Sequence, residues 1–158
     1  MDPEHTPARA QAPAGQLDPA GLDPAGLAVR RAVLGEEHVA RSLAAADAFT
    51  ADFQDFITRY AWGGVWTREG LDLRTRSCIT LAVLTALHCT QELPLHVRGA
   101  LNNGLTPEEI KEVLLHTAVY AGVPAANSAF AVARRTLDEL APGTGATAPV
   151  PDPSDLNP

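Results

Sequence analysis

The chain has 158 residues, about one domain's worth, with 12 Lys+Arg against 19 Asp+Glu and a formal net charge of −7. Residues 26–140 hold 11 basic and 13 acidic side chains, and the acidic surplus and ten of the 13 prolines lie in the two ends. A near-neutral centre with no Lys/Arg cluster larger than a pair argues against nucleic-acid binding. The longest apolar stretch, about residues 79–87, is too short to span a bilayer.

The N-terminal segment MDPEHTPARA has no basic region followed by an apolar run, so no secretory signal is expected and the cytoplasm is the expected compartment. Residues 1–25, with the near-repeat LDPAGLDPAGL at 17–27, and residues 141–158 are poor in aromatic and β-branched residues and are expected to be disordered tails. The repeat reads as a duplicated linker before it reads as an interaction motif.

Between the tails, residues 26–140 form the expected domain, and its pattern is helical almost throughout, with no alternating run long enough for a strand. A short helix is expected at about 28–34, stopped by Gly35, and a second at about 36–46. A third, about 48–61, carries Phe49, Phe53, Phe56, Ile57 and Tyr60 on one broad stripe, with Gly63-Gly64 as its end. The fourth should start after Asp72, a good N-cap, and run to about Leu87. Apolar residues from Ile79 to Leu87 surround its circumference, which predicts burial on all sides and, in so small a domain, packing of one subunit on another. The fifth is expected at about 91–102, closed by Asn103-Gly104. Thr106-Pro107-Glu108-Glu109 is a capping box and opens the sixth, which ends near Gly122. Val123-Pro124 opens an amphipathic seventh to about Leu140. The expectation is an all-α bundle of six to seven helices that self-associates. Cys78 and Cys89 lie eleven residues apart. On one helix that is about 16 Å, too far for a disulfide.

The fifth helix carries the most chemistry. Glu92, His96, Gly99 and Asn103 share one stripe beside an apolar face. A carboxylate one turn from an imidazole can fix its tautomer and raise its pKa, which suits a proton donor near neutral pH, and Gly99 leaves room for a small ligand. An ordinary surface i,i+4 pair has the same spacing. Arg74 and Arg76 lie in the first turn of the fourth helix, where positive charge opposes the macrodipole. They can clamp a carboxylate, or pair with protein acids such as Glu69 or Asp72. His116 and Tyr120 form a second i,i+4 pair, on a stripe with Glu109 and Glu112 that suits a solvated face or a subunit contact as well as a site. Trp62 and Trp66 beside Gly63-Gly64 can wall a pocket or fill a core. The histidines are scattered and no three ligands share a metal-binding spacing, so no metal is expected.

The segments GLAVRRAVLGEEHV (26–39), DFQDFITRYAWGGVWTREGLDLRTRS (52–77) and ELPLHVRGALNNGLTPEEIKEVLLHTAVYAGVPAANSAFAVA (92–133) together resemble the 4-carboxymuconolactone decarboxylases. The wider superfamily includes alkylhydroperoxidase-like proteins with a C-x-x-C-x-x-x-H pattern and an upstream glutamate after Thr-Arg. Here His96 matches the histidine and Cys89 the first cysteine, but Glu92 replaces the second cysteine and Ser77 the glutamate. A thiol peroxidase cycling through a disulfide needs both sulfurs, so the departure argues against that chemistry.

The resemblance implies an all-α fold assembled as a homo-oligomer, commonly a hexamer. It implies a cofactor-free loss of CO2 from γ-carboxymuconolactone to give β-ketoadipate enol-lactone in aromatic catabolism. It also points to His96, oriented by Glu92, as the acid that delivers the proton. Arg76 and then Arg74 are the expected carboxylate clamps, Trp62, His116 and Tyr120 are expected around the substrate, and His116 is the rival proton donor. Three alternatives remain open: a related lyase or isomerase on another small lactone or keto acid, a peroxidase-like protein, and a non-catalytic scaffold.

Overall fold

A computed structural model describes residues 19–141, and among them there are seven α-helices and no strand. They are α1 (Pro24–Leu34), α2 (Glu36–Ala44), α3 (Ala51–Phe56), α4 (Leu73–Ala86), α5 (Leu93–Asn102), α6 (Pro107–Ala121) and α7 (Val123–Leu140). A π-helix, Ile57–Trp66, continues α3 without a break. Of the predicted tails, residues 1–18 and 142–158 lie outside the described residues, whereas 19–25, expected to be disordered, belong to the fold: Pro19–Gly21 forms a 3-10 turn, Leu22 is buried and α1 starts at Pro24.

The first helix starts four residues earlier than its periodicity suggests. Asp23 caps it by accepting from the Gly26 amide at 2.8 Å, Pro24 sits in the first turn, and Leu22 is already buried. The third helix differs more. Gly63-Gly64 does not end it, because the π-helix runs through both glycines to Trp66. The reason is long-range packing. A Cβ on Gly26 would collide with the Thr58 carbonyl and the Gly63 amide, and one on Gly63 with the Asp23 carboxylate. These glycines let α1 lie directly on the π-helix backbone.

The fourth, sixth and seventh helices start as expected. Asp72 accepts from the Thr75 amide, and Thr106 and Glu109 form the reciprocal capping box. α4 ends at Ala86, before Cys89, so the two cysteines do not share one helix; both are free thiols.

Two apolar clusters make the core. One joins α4 to α7 through Leu81, Leu93, Val97, Ile110, Leu114 and Ala129. The other joins α1, α2 and the π-helix through Leu27, Val33, Leu34, Val39, Leu43 and Trp62. α5 lies between them, sending Leu93, Val97 and Ala100 into the first and Leu95 against the second. A Cβ on Gly99 would press on Val33, so this glycine seats α5 on α1 and does not open space for a ligand. Asn102 donates to the Val33 carbonyl at 2.9 Å, and Asn103 donates to Ser77 Oγ at 2.8 Å.

Not all of α4 is buried within one chain. Leu81 is, but Ile79, Val83 and Leu87 are exposed, as are Leu115, Val119 and Tyr120 on α6. The stripe of Phe49, Phe53, Phe56 and Tyr60 is exposed too, with Phe49 at 92%.

Candidate active site

Arg30 is the most unusual polar residue of the fold. It follows Leu27 by three residues and precedes Val33 and Leu34 by three and four, so it projects from the buried face of α1 and is only 3% exposed. Its Nη1 donates to Thr58 Oγ1 at 3.0 Å and its Nη2 to Gln54 Oε1 at 2.8 Å. Both partners are neutral, and its buried Nε has no acceptor. Burial pushes its pKa down, yet a guanidinium stays charged in a protein. The fold therefore holds a cation that no carboxylate among the described residues neutralises.

His38, on α2, is half-buried, and its Nε2 lies 3.4 Å from Ser42 Oγ. Burial pushes its imidazole below the ordinary histidine value, and the charges of Arg30 and Arg41 push the same way. Glu92 opposes them. His96 lies in the first turn of α5, one turn beyond Glu92. Burial pushes it down most, Glu92 raises it, and His38 lowers it further. The predicted raising influence of Glu92 is thus present but outweighed, and in the free protein His96 is held below the ordinary value. His38 is thus influenced by Arg30 on α1 and by Glu92 just before α5, and His96 by Glu92 and His38, while Arg30 is not among the influences on His96.

The other candidates have partners of their own. Arg74 is taken up by the protein: it pairs with Glu109 and donates to the Gly104 carbonyl, at the C-terminal end of α5. Gly104 is eight residues beyond His96, about 12 Å along a helix axis. Arg76 Nη2 donates to the Arg68 carbonyl at 2.9 Å, and its buried Nε has no acceptor. Trp62 is packed in the α1–α2 core cluster, with its ring centroid 4.9 Å from that of Trp66. His116 and Tyr120 have ring centroids 5.1 Å apart; His116 lines two adjoining grooves between α4 and α6, of about 460 and 310 Å³, and Tyr120 lines the second. Cys78, Ile79, Ala82 and Glu112 also line the first, and Val83 and Ala86 the second. Burial, aided by Glu109, pushes the Cys78 thiol up, which keeps it protonated and unreactive. No group of three or more potential metal ligands occurs among the described residues.

Residues 51–135, from the start of α3 into α7, match the carboxymuconolactone decarboxylase family. The chain belongs to that family. It is 51% identical over 115 residues to a 4-carboxymuconolactone decarboxylase of Acinetobacter baylyi, covering 73% of this chain and 86% of that protein. It is 45% identical over 115 residues to the nitrosuccinic acid decarboxylase npaB of Metarhizium robertsii, covering 73% of this chain and 80% of the relative. A shorter match, 54% identical over 39 residues, covers 25% of this chain and 81% of a 4-carboxymuconolactone decarboxylase of Pseudomonas putida.

Glu92 and His96 lie inside the carboxymuconolactone decarboxylase family match, whereas Arg30 and His38 lie upstream of it. Sequence reasoning missed both. Arg30 carried a signal, its spacing from Leu27, Val33 and Leu34. His38, on a short polar helix, carried none.

Proposed function

We propose that this member of the carboxymuconolactone decarboxylase family is a carboxy-lyase that converts γ-carboxymuconolactone to β-ketoadipate enol-lactone. The observation that carries this is the 51% identity over 115 residues to a protein of that name. The electron flow needs no added acceptor. Cleavage of the bond to the departing carboxylate releases an electron pair at the ring carbon γ to the lactone carbonyl. The pair moves through the ring alkene onto the carbonyl oxygen, giving CO2 and a furan-like oxyanion. Protonation of the carbon α to the carbonyl completes the product. The protein has to hold the substrate, stabilise the oxyanion and deliver one proton.

His96 is the proposed acid and Glu92 its positioning residue. Burial at the α1–α5 junction favours the neutral imidazole in the free protein. A bound dianion reverses that preference, because a nearby negative charge stabilises the imidazolium. Substrate entry then loads the acid with the proton it later gives up. His116, exposed in the α4–α6 groove, is the rival.

We further propose that the protein works in the cytoplasm as a homo-oligomer, a hexamer being the expected form. The exposed apolar residues of α4 and α6 support self-association. No helix among the described residues is long and apolar enough to cross a membrane.

The 45% identity to a nitrosuccinic acid decarboxylase makes that substrate the direct comparison. It too is a dicarboxylic acid, with a nitro group able to accept the released electron pair. Assaying CO2 release from both compounds with the purified protein tests the proposal. A kcat/KM at least about tenfold higher on the lactone is expected, a gap of about 1.4 kcal/mol. Turnover of nitrosuccinate alone would overturn the substrate, and turnover of neither would overturn the function.

A further inference from the structure

The proposed substrate keeps one carboxylate through the reaction, and of the two arginines first expected to hold it, Arg74 is paired with Glu109, while Arg76 donates to the Arg68 carbonyl, keeps an Nε without an acceptor and is less deeply buried than Arg30. We propose that Arg30 is the carboxylate-binding group of this site, held in place by Gln54 and Thr58. Only the identity of the carboxylate's owner rests on the decarboxylase reading.

Burying a charge is costly unless it is paired, and neutral partners repay little of that cost. A residue needed only to tie α1 to the π-helix has no use for the charge. A carboxylate laid along the Nε–Nη edge would give Nε its missing acceptor and neutralise the cation in the two-pronged geometry that guanidinium favours. Of the two partners, Gln54 is the one a ligand could displace, since it is half-buried whereas Thr58 is fully enclosed. A rotation of the Gln54 amide is the small side-chain change that binding commonly brings. His38 feels both Arg30 and Glu92, and His96 feels His38 and Glu92, so His38 links the Arg30 cation to the surroundings of the proposed acid. Gly26 and Gly63 fix how α1 rests on the π-helix, and hence the position of Arg30 over Gln54 and Thr58.

The test compares succinate, a plain dicarboxylate, with succinamate, which lacks one of the charges. Calorimetric affinities for both, with kcat and KM on the lactone, are measured for the wild type, Arg30→Met and Arg30→Lys. The wild type should prefer succinate by about tenfold or more, the order expected for a charge-assisted hydrogen bond. Arg30→Met should keep the wild-type circular dichroism, lose that preference and raise KM by roughly 10- to 100-fold, with a smaller change in kcat. Arg30→Lys should recover part of the preference, because it keeps the charge without the fork. If Arg30→Met does not fold, the lysine variant carries the test: an unchanged preference and KM in it overturn the proposal. So does a folded methionine variant that still prefers succinate. A wild type that shows the preference through Arg30 but releases no CO2 from the lactone would overturn the decarboxylase reading and leave Arg30 standing.

Discussion

His96 is an imidazole held below its ordinary pKa by burial, with one acid working against that burial. If it is the proton donor, the free protein must bind a proton before it can act. kcat/KM should therefore fall as pH rises through a value below about 6.5. kcat reports the substrate complex, where the dianion favours the imidazolium, so its falling limb should lie at higher pH. Glu92→Gln removes the raising influence and should move the kcat/KM limb further to acid, with a smaller loss of kcat than loss of the imidazole causes. pH–rate profiles of the two proteins check this, and a limb unmoved by Glu92→Gln would remove Glu92 from the role. The raising influence of Glu92 on His96 was legible because residues at i and i+4 lie one helical turn apart whatever the rest of the fold does. Which effect dominates was not legible. Burial of His96 depends on tertiary packing around α5, and α1, one of its neighbours, approaches from far away in sequence. Arg30 was half legible: its spacing put it on an apolar face, but its neutral partners, Gln54 and Thr58, come from another helix.

Helix ends obey local rules, and there the sequence was most informative. Gly104 has a φ of 86° and closes α5, with the Leu105 amide donating to the Ala100 carbonyl at 2.9 Å. This is a Schellman closure with glycine at the left-handed position. α4 closes in the same way, the Cys89 amide donating to the Leu84 carbonyl at 2.9 Å, but the left-handed residue is His88, at φ 58°. A side chain there costs about 1–2 kcal/mol, part of which glycine gives back as unfolded-chain entropy. Gly104→Ala should destabilise by roughly 1–2 kcal/mol, and His88→Gly should stabilise by up to about 1 kcal/mol. Urea denaturation midpoints check both, and a His88→Gly protein less stable than wild type would point to an undetected role for that side chain. Thr106→Ala, which breaks the capping box, should cost about 1 kcal/mol. The π-helix was not legible for the opposite reason. Gly63-Gly64 is a helix stop by local rules, and only the close approach of α1 through Gly26 turns it into a packing surface.

At the scale of the whole molecule, apolar patterning announced more burial than one chain provides. The exposed faces of α4 and α6 are where the difference lies. A charge placed there, Val83→Lys or Tyr120→Lys, should shift sedimentation toward the monomer while circular dichroism stays helical. Unchanged association in both variants would move the interface elsewhere, to the Phe49–Tyr60 stripe first. Acid stability follows from His38 and His96, both held neutral. Between their lowered folded values and about 6.5 the unfolded chain binds more protons, so stability rises with pH across that window. It is fully present above about 6.5 and is lost as pH falls through the window. A His38→Asn/His96→Asn double variant should flatten that dependence, as read from urea midpoints at pH 7.5 and 5.5.

The most direct test is the turnover of γ-carboxymuconolactone by the wild type, His96→Asn and His116→Asn, each verified as folded and of wild-type oligomeric size. General acid catalysis contributes roughly 10²–10⁴-fold, so His96→Asn should lower kcat by that order while His116→Asn stays near wild type. A His96→Asn protein with nearly full kcat beside an inactive His116→Asn protein would contradict the assignment and place the proton source on α6.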